Sequence, residues 1–184
     1  MKRTVRAAAR PAARAKAPSK RFALSSSEIK ANASIPRHFE FNGFGCSGEN
    51  KSPALNWSNA PKDTKSFAVT VYDPDAPTGS GWWHWMVINI PADVSDLPPD
   101  AGAASGERLP VGASHVRIDY GVKAWGGPCP PPGDKPHRYI FTVHALSTEK
   151  LEIPGDATAA LAGFMINANA LGKASFTAKY GRPK

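Results

Sequence analysis

Asp73 and Asp75 lie in the run Tyr72–Asp73–Pro74–Asp75–Ala76–Pro77, directly after an apolar segment. Such carboxylates, stiffened by prolines, can accept backbone N–H groups in a tight turn. They can also orient an imidazole. Trp82–Trp83–His84–Trp85 follows within a few residues. A hairpin would bring Asp73 close to His84, and a carboxylate beside an imidazole fixes its tautomer and favours its charged form.

A further cluster runs Gly126–Gly127–Pro128–Cys129–Pro130–Pro131–Pro132–Gly133, followed by His137, Arg138 and Tyr139. Glycines let a backbone approach a ligand closely, and prolines hold the loop rigid. Two histidines and two aspartates at neighbouring strand ends could form an anion pocket. The same groups could perform acid–base chemistry on a phosphoester, and two histidines with a carboxylate could hold a metal. Neither Ser80 nor Cys129 has the neighbourhood of an activated nucleophile.

Other motifs are weaker. Gly43–Phe44–Gly45–Cys46–Ser47–Gly48 satisfies GxGxxG, but no helical pattern follows it, so it reads as a glycine-rich turn. HExxH, GxSxG and paired CxxC patterns are missing from the sequence.

These residues need strands to hold them. Ser66–Tyr72, His84–Ile90 and Arg138–Leu146 are rich in β-branched and aromatic residues, and are apolar on both parities. They predict strands covered on both faces. Phe22–Ile29 predicts a first strand and Ser175–Tyr180 a last one. A helix is predicted over Ala157–Leu171, capped by Asp156 and stopped by Gly172. Ala92–Tyr120 reads as long loops. The 16 glycines and 18 prolines favour short strands with many turns, hence a mainly β sandwich or barrel with one late helix.

The sequence resembles the phosphatidylethanolamine-binding protein family, also called Raf kinase inhibitor-like proteins, and its bacterial branch most closely. The likeness rests on SPALNW (Ser52–Trp57), KSFAVTVYDPDAPTGSGWWHWMVINIPA (Lys65–Ala92) and GGPCPPPGDKPHRYIFTVHAL (Gly126–Leu146). It extends from about Phe22 to Tyr180. It implies a large antiparallel β-sandwich with a C-terminal helix and a pocket at the strand ends. It implies non-enzymatic binding of small anions, phosphate or phospholipid head groups, with regulation of a kinase or protease as a further implication. Carried over, the pocket uses Asp73, His84, Gly127, Pro128, His137 and Tyr139. Asp75, Ala76 and Pro77 shape its floor, with Ala76–Pro77 a candidate cis bond. Trp83 stands where many relatives have a second histidine, which points to a more apolar pocket. A protonated His84 or His137 would then bind phosphate, and affinity would fall as pH rises. The aspartates should bond to histidine or backbone, because a carboxylate facing phosphate repels it. Relatives in this branch often pair, so a homodimer is expected. No cofactor is implied.

The chain has 184 residues and a formal charge of +8. Residues 1–21 hold Lys2, Arg3, Arg6, Arg10, Arg14, Lys16, Lys20 and Arg21 and no acid, while the remainder balances 15 basic against 15 acidic residues. Residues 1–21 therefore read as a disordered basic tail, and 22–184 as a single domain without a broad positive groove. Nucleic acid is expected only weakly, through the tail. The tail has some likeness to a transit segment, but no apolar run suits a secretory signal or a membrane span, so a cytoplasmic location is expected. Cys46 and Cys129 both lie in loops, and a single bridge between them is possible.

Overall fold

A computed structural model describes residues 20–184, and the basic tail up to residue 19 lies outside the described residues. In chain order the elements are β1 (Ala23–Ser25), a 3₁₀ turn (Arg37–Phe39), β2 (Asn42–Gly43), β3 (Cys46–Ser47), β4 (Leu55–Ser58), β5 (Ser66–Asp73), β6 (Trp82–Pro91), β7 (Asp96–Leu97), β8 (Ser114–His115), β9 (His137–Leu146), α1 (Ala159–Ala168) and β10 (Ala170–Tyr180). The main sheet has the order β10-β9-β5-β6-β8, and every pair is antiparallel. A smaller antiparallel sheet runs β1-β4-β7.

The main sheet is covered on both faces, which explains why its strands lack a polar parity. On one face Val69 and Val71 of β5, Trp85 of β6, and Phe141 and Val143 of β9 pack with Leu55 and Trp57 of the small sheet. On the other face Ala68, Met86, Ile88 and Leu146 meet Ala159, Ala162 and Ile166 of α1. The mainly β sandwich with a late helix is therefore present.

Several boundaries differ from the sequence expectation. β1 is only three residues long. Ser26 turns the chain after it by accepting the N–H groups of Glu28 and Ile29. The helix is shorter than expected and is capped by Thr158, whose hydroxyl accepts from Leu161 N at 3.2 Å; Asp156 does not cap it. Asn169 ends it, donating from its side chain to the Met165 carbonyl at 2.9 Å. Gly172 is consequently inside β10, and that strand starts five residues earlier than Ser175. The expected loop Ala92–Tyr120 contributes the two-residue strands β7 and β8. The GxGxxG stretch is the turn of the β2–β3 hairpin.

Candidate functional site

β5 and β6 are joined by the turn that follows Asp73, and β9 pairs with the other edge of β5. Tyr72 lies opposite Ile140, so the end of β5 and the start of β9 meet. The nearer imidazole is therefore not the hairpin neighbour. His137 Nδ1 lies 2.8 Å from Asp73 Oδ2, and both residues are buried. The other Asp73 oxygen accepts the Asp75 N–H at 2.8 Å. Both carboxylate oxygens are thus occupied, one by imidazole and one by backbone.

His84 has a different task. Its Nδ1 is 2.6 Å from the Gly126 carbonyl, and Gly126 N donates back to the His84 carbonyl at 2.8 Å. Burial pushes its pKa down to about 4. It is a neutral anchor for the glycine-rich loop, which corrects the expectation of a charged ligand paired with Asp73. Its ring meets Tyr120 and Tyr139 edge-on, with centroids at 5.6 and 5.0 Å.

Gly127 and Pro128 also act through the backbone. A Cβ on Gly127 would collide with the Phe39 carbonyl, so only glycine lets the loop lie this close to the 3₁₀ turn. Gly127 N donates to Asn50 Oδ1 at 2.8 Å, and its carbonyl accepts from the Tyr120 hydroxyl at 3.0 Å. The Pro128 carbonyl accepts from Phe41 N at 3.1 Å.

A cleft of about 230 Å³ opens where these elements meet. Asp73, His137 and Tyr139 line it together with Ala76, Pro77 and Thr78 from the β5–β6 turn. Trp82, Tyr120 and Phe44 supply aromatic walls, and Cys129, Pro130 and Pro131 the opposite side. His84, Gly127 and Pro128 support this cleft without lining it. Asp75 faces away from it. Its carboxylate takes Arg138 Nε at 2.9 Å and Nη2 at 2.7 Å, and it also accepts the Arg138 backbone N–H. The guanidinium holds the Asp75 carboxyl down at about 2. Every described peptide bond is trans, Ala76–Pro77 included. Trp83 points to the other face of the sheet, against Tyr72, with centroids 4.5 Å apart. The apolar character of the cleft comes instead from Trp82, Tyr120 and Phe44.

Two donors at the cleft are unpaired. The Tyr139 hydroxyl and Trp82 Nε1 are buried without a hydrogen-bond partner. Burial raises the Tyr139 pKa, with the Asp73 charge adding to the effect, so the phenol keeps its proton. Cys46 and Cys129 form a disulfide across a sequence separation of 83. It ties the β2–β3 hairpin, and Phe44 with it, to the proline-rich loop. Sequence reasoning missed Tyr120, Trp82, Phe44 and Asn50. Asn50 sits in its loop at a positive φ of 52°, a conformation in which asparagine is enriched, but nothing in its sequence neighbourhood marks it as a partner of Gly127.

Residues 25–181 match the sequence family described as phosphatidylethanolamine-binding protein. The chain belongs to this family. It is 55% identical over 159 residues to the protein YbcL of Escherichia coli, covering 86% of this chain and 87% of that one. The E. coli protein YbhB is 45% identical over 157 residues, covering 85% of this chain and 98% of its own length. The crystal structure of YbcL, described as a new member of the mammalian family, superposes with a TM-score of 0.85 at 54% identity, covering 87% of this chain and 98% of the other. The family resemblance read from DPDAP and GPCPP is therefore correct. Among the described residues, no helix is long and apolar enough to cross a membrane.

Proposed function

We propose that the cleft binds a small phosphate-bearing anion, either free or as the phosphoryl end of a phospholipid head group, and performs no chemistry on it. The observation that carries this reading is the pair of unpaired donors, Tyr139 O–H and Trp82 N–H, beside His137. A buried donor without a partner costs about 1–3 kcal/mol, and a phosphoryl oxygen would relieve that cost. The oxygens of Asp73 are turned to His137 and to backbone, so its charge is partly offset by these donors and neither oxygen is left as a bare acceptor toward the anion. With Nδ1 committed to Asp73, His137 offers Nε2. That atom lies 3.6 Å from Oδ2 of the half-exposed Asp134, beyond a good hydrogen bond; an anion takes Asp134's place there, and Nε2 donates to it when the ring carries both protons.

The aromatic and proline walls suit the ethanolamine-like or glycerol portion next to such a phosphate. They favour binding over catalysis. The cleft presents no free thiol, since Cys129 is in the disulfide, and its threonine, Thr78, donates its hydroxyl to the Gly81 carbonyl. A nucleophile would need a base within reach, and none of these groups has one.

The disulfide bears on location. Such bonds persist in oxidising compartments and are rare in the cytosol. We infer that the folded form works in an oxidising compartment, in place of the cytoplasmic setting expected from sequence.

Calorimetric titration with inorganic phosphate and with O-phosphoethanolamine tests the binding reading. Saturable binding of either ligand that is weakened by His137→Ala supports it. No heat from either at millimolar concentration sinks it. Binding of phosphoethanolamine without binding of phosphate assigns the head group as the source.

A further inference from the structure

The main sheet carries a second cavity, on the face opposite the cleft. Along β9 the side chains of Tyr139, Phe141 and Val143 enter the core between the sheets. By alternation Ile140, Thr142 and His144 point to the α1 side. The cavity there is about 170 Å³, lined by Thr70, Trp83, Thr142, His144, Asn167 and Lys173 among others. By a comparable measure one water needs about 10–15 Å³, so the space suits a small organic molecule.

Its chemistry is one-sided. His144 is 6% exposed, and its Nδ1 is buried with no hydrogen-bond partner. The other ring nitrogen, Nε2, is 3.2 Å from the Thr70 hydroxyl. If Thr70 donates there, Nδ1 carries the proton and is a donor. Lys173 lies directly opposite His144 in the β9–β10 register. Among the described residues, Lys173 has no salt bridge. Thr142 and Ser175 share a hydrogen bond of 2.9 Å, which leaves one hydroxyl proton to give. The residues lining the cavity include no Asp or Glu. A buried polar patch on a sheet face is costly unless it is satisfied.

The remaining walls are apolar. Trp83, Ile140 and Ile166 line the cavity, and Gly163 of α1 leaves the space above Trp83 open. Donors and a cation at one end, with aliphatic and indole surface at the other, match a small carboxylate with a short apolar tail.

We propose that this cavity is a second ligand site, which takes a small aliphatic carboxylate between Lys173 and His144 beneath α1. The site is independent of the cleft around His137, because it lies on the opposite face of the sheet. Lys173 supplies the charge, His144 Nδ1–H a directed bond, and the Trp83 side receives the tail.

The test is a titration of the full chain with sodium butyrate, followed by NMR of the histidine rings and lysine side chains. The expected result is a saturable shift of the His144 and Lys173 signals while those of His137 stay put. Lys173→Met keeps the stem of an exposed residue and should weaken butyrate binding about tenfold, the loss expected for one charge-assisted bond. Gly163→Ala places a Cβ at 3.6 Å from Trp83, an ordinary contact, so the helix should fold normally while the tail space shrinks. Reduced butyrate binding in this variant supports the placement. A linear, non-saturating response overturns the proposal, as does equal affinity in Lys173→Met. A stronger response to inorganic phosphate than to butyrate overturns the assignment to a carboxylate.

Discussion

The imidazole of His137 is held by Asp73 through a 2.8 Å bond between two residues that start β9 and end β5. Both are buried, at 4% and 2% exposure, so the pair is shielded from competing water. The bond fixes which ring nitrogen remains for a ligand. Asp73→Asn keeps the shape but replaces a charged acceptor with an amide that can rotate. Carboxylates that orient a metal-ligating histidine are commonly worth about 10–100-fold in metal affinity, and Asp73 has the same orienting role toward His137. Phosphoethanolamine affinity measured by calorimetry should therefore fall at least about tenfold. The His137 ring signals should also change in NMR, which a purely structural defect elsewhere would not cause. Unchanged affinity together with unchanged ring signals would contradict the role given to Asp73.

Tyr139 offers a sharper separation of fold from function. Its hydroxyl is buried without a protein partner. Tyr139→Phe removes nothing that the fold uses, so thermal stability should be equal or slightly higher. Binding of phosphate should weaken about fivefold, the value of roughly one neutral hydrogen bond. A destabilised variant with intact binding would reverse the argument.

The strands were readable from the sequence because Ser66–Asp73, Trp82–Pro91 and His137–Leu146 are dense in β-branched and aromatic residues. Their ends agree with expectation to within two residues. What was not readable is which strand adjoins which. The sequence neighbour of Asp73 is His84, and a hairpin suggests that pair. The Tyr72–Ile140 pairing instead brings His137 to Asp73, from 64 residues away. A non-local register of that kind is set by the packing of the whole sheet. Asp75 shows the same limit on a smaller scale. Two residues from Asp73 it shares the motif, yet the nearby guanidinium of Arg138 draws it away from the cleft. The short strands β2 and β3 carry Phe44 to the cleft, but two-residue strands have no periodicity to read.

The disulfide closes a loop between residues 83 apart. In the chain-entropy picture, such a loop is worth about 4–5 kcal/mol of stability. Cys46→Ser with Cys129→Ser should lower the urea midpoint accordingly, and reductant should do the same to the native chain. Because the bond clamps the hairpin bearing Phe44 to the cleft wall, phosphoethanolamine should also bind more weakly under reducing conditions. A native midpoint that ignores reductant would show that the two segments are held by other contacts.

Acid should destabilise the fold in two separate steps. His84 and His144 are both pushed down to about 4 from an ordinary 6.5, chiefly by burial. A depressed histidine means that the unfolded chain binds the proton first as pH falls. The associated stability is complete above 6.5, declines between 6.5 and 4, and is then constant. At about 1.4 kcal/mol per pH unit, each histidine accounts for roughly 3 kcal/mol. Asp75, held at about 2 against 3.8 by Arg138, acts lower: its contribution is present above 3.8 and lost as pH falls through 2. That pair is partly exposed, so its share is smaller, about 1 kcal/mol. Urea midpoints measured from pH 7.5 down to 2 should decline first across the histidine window. His84→Gln should flatten part of that slope and leave the lower step unchanged. A midpoint constant between pH 7 and 4.5 would mean that these imidazoles reach protons without unfolding.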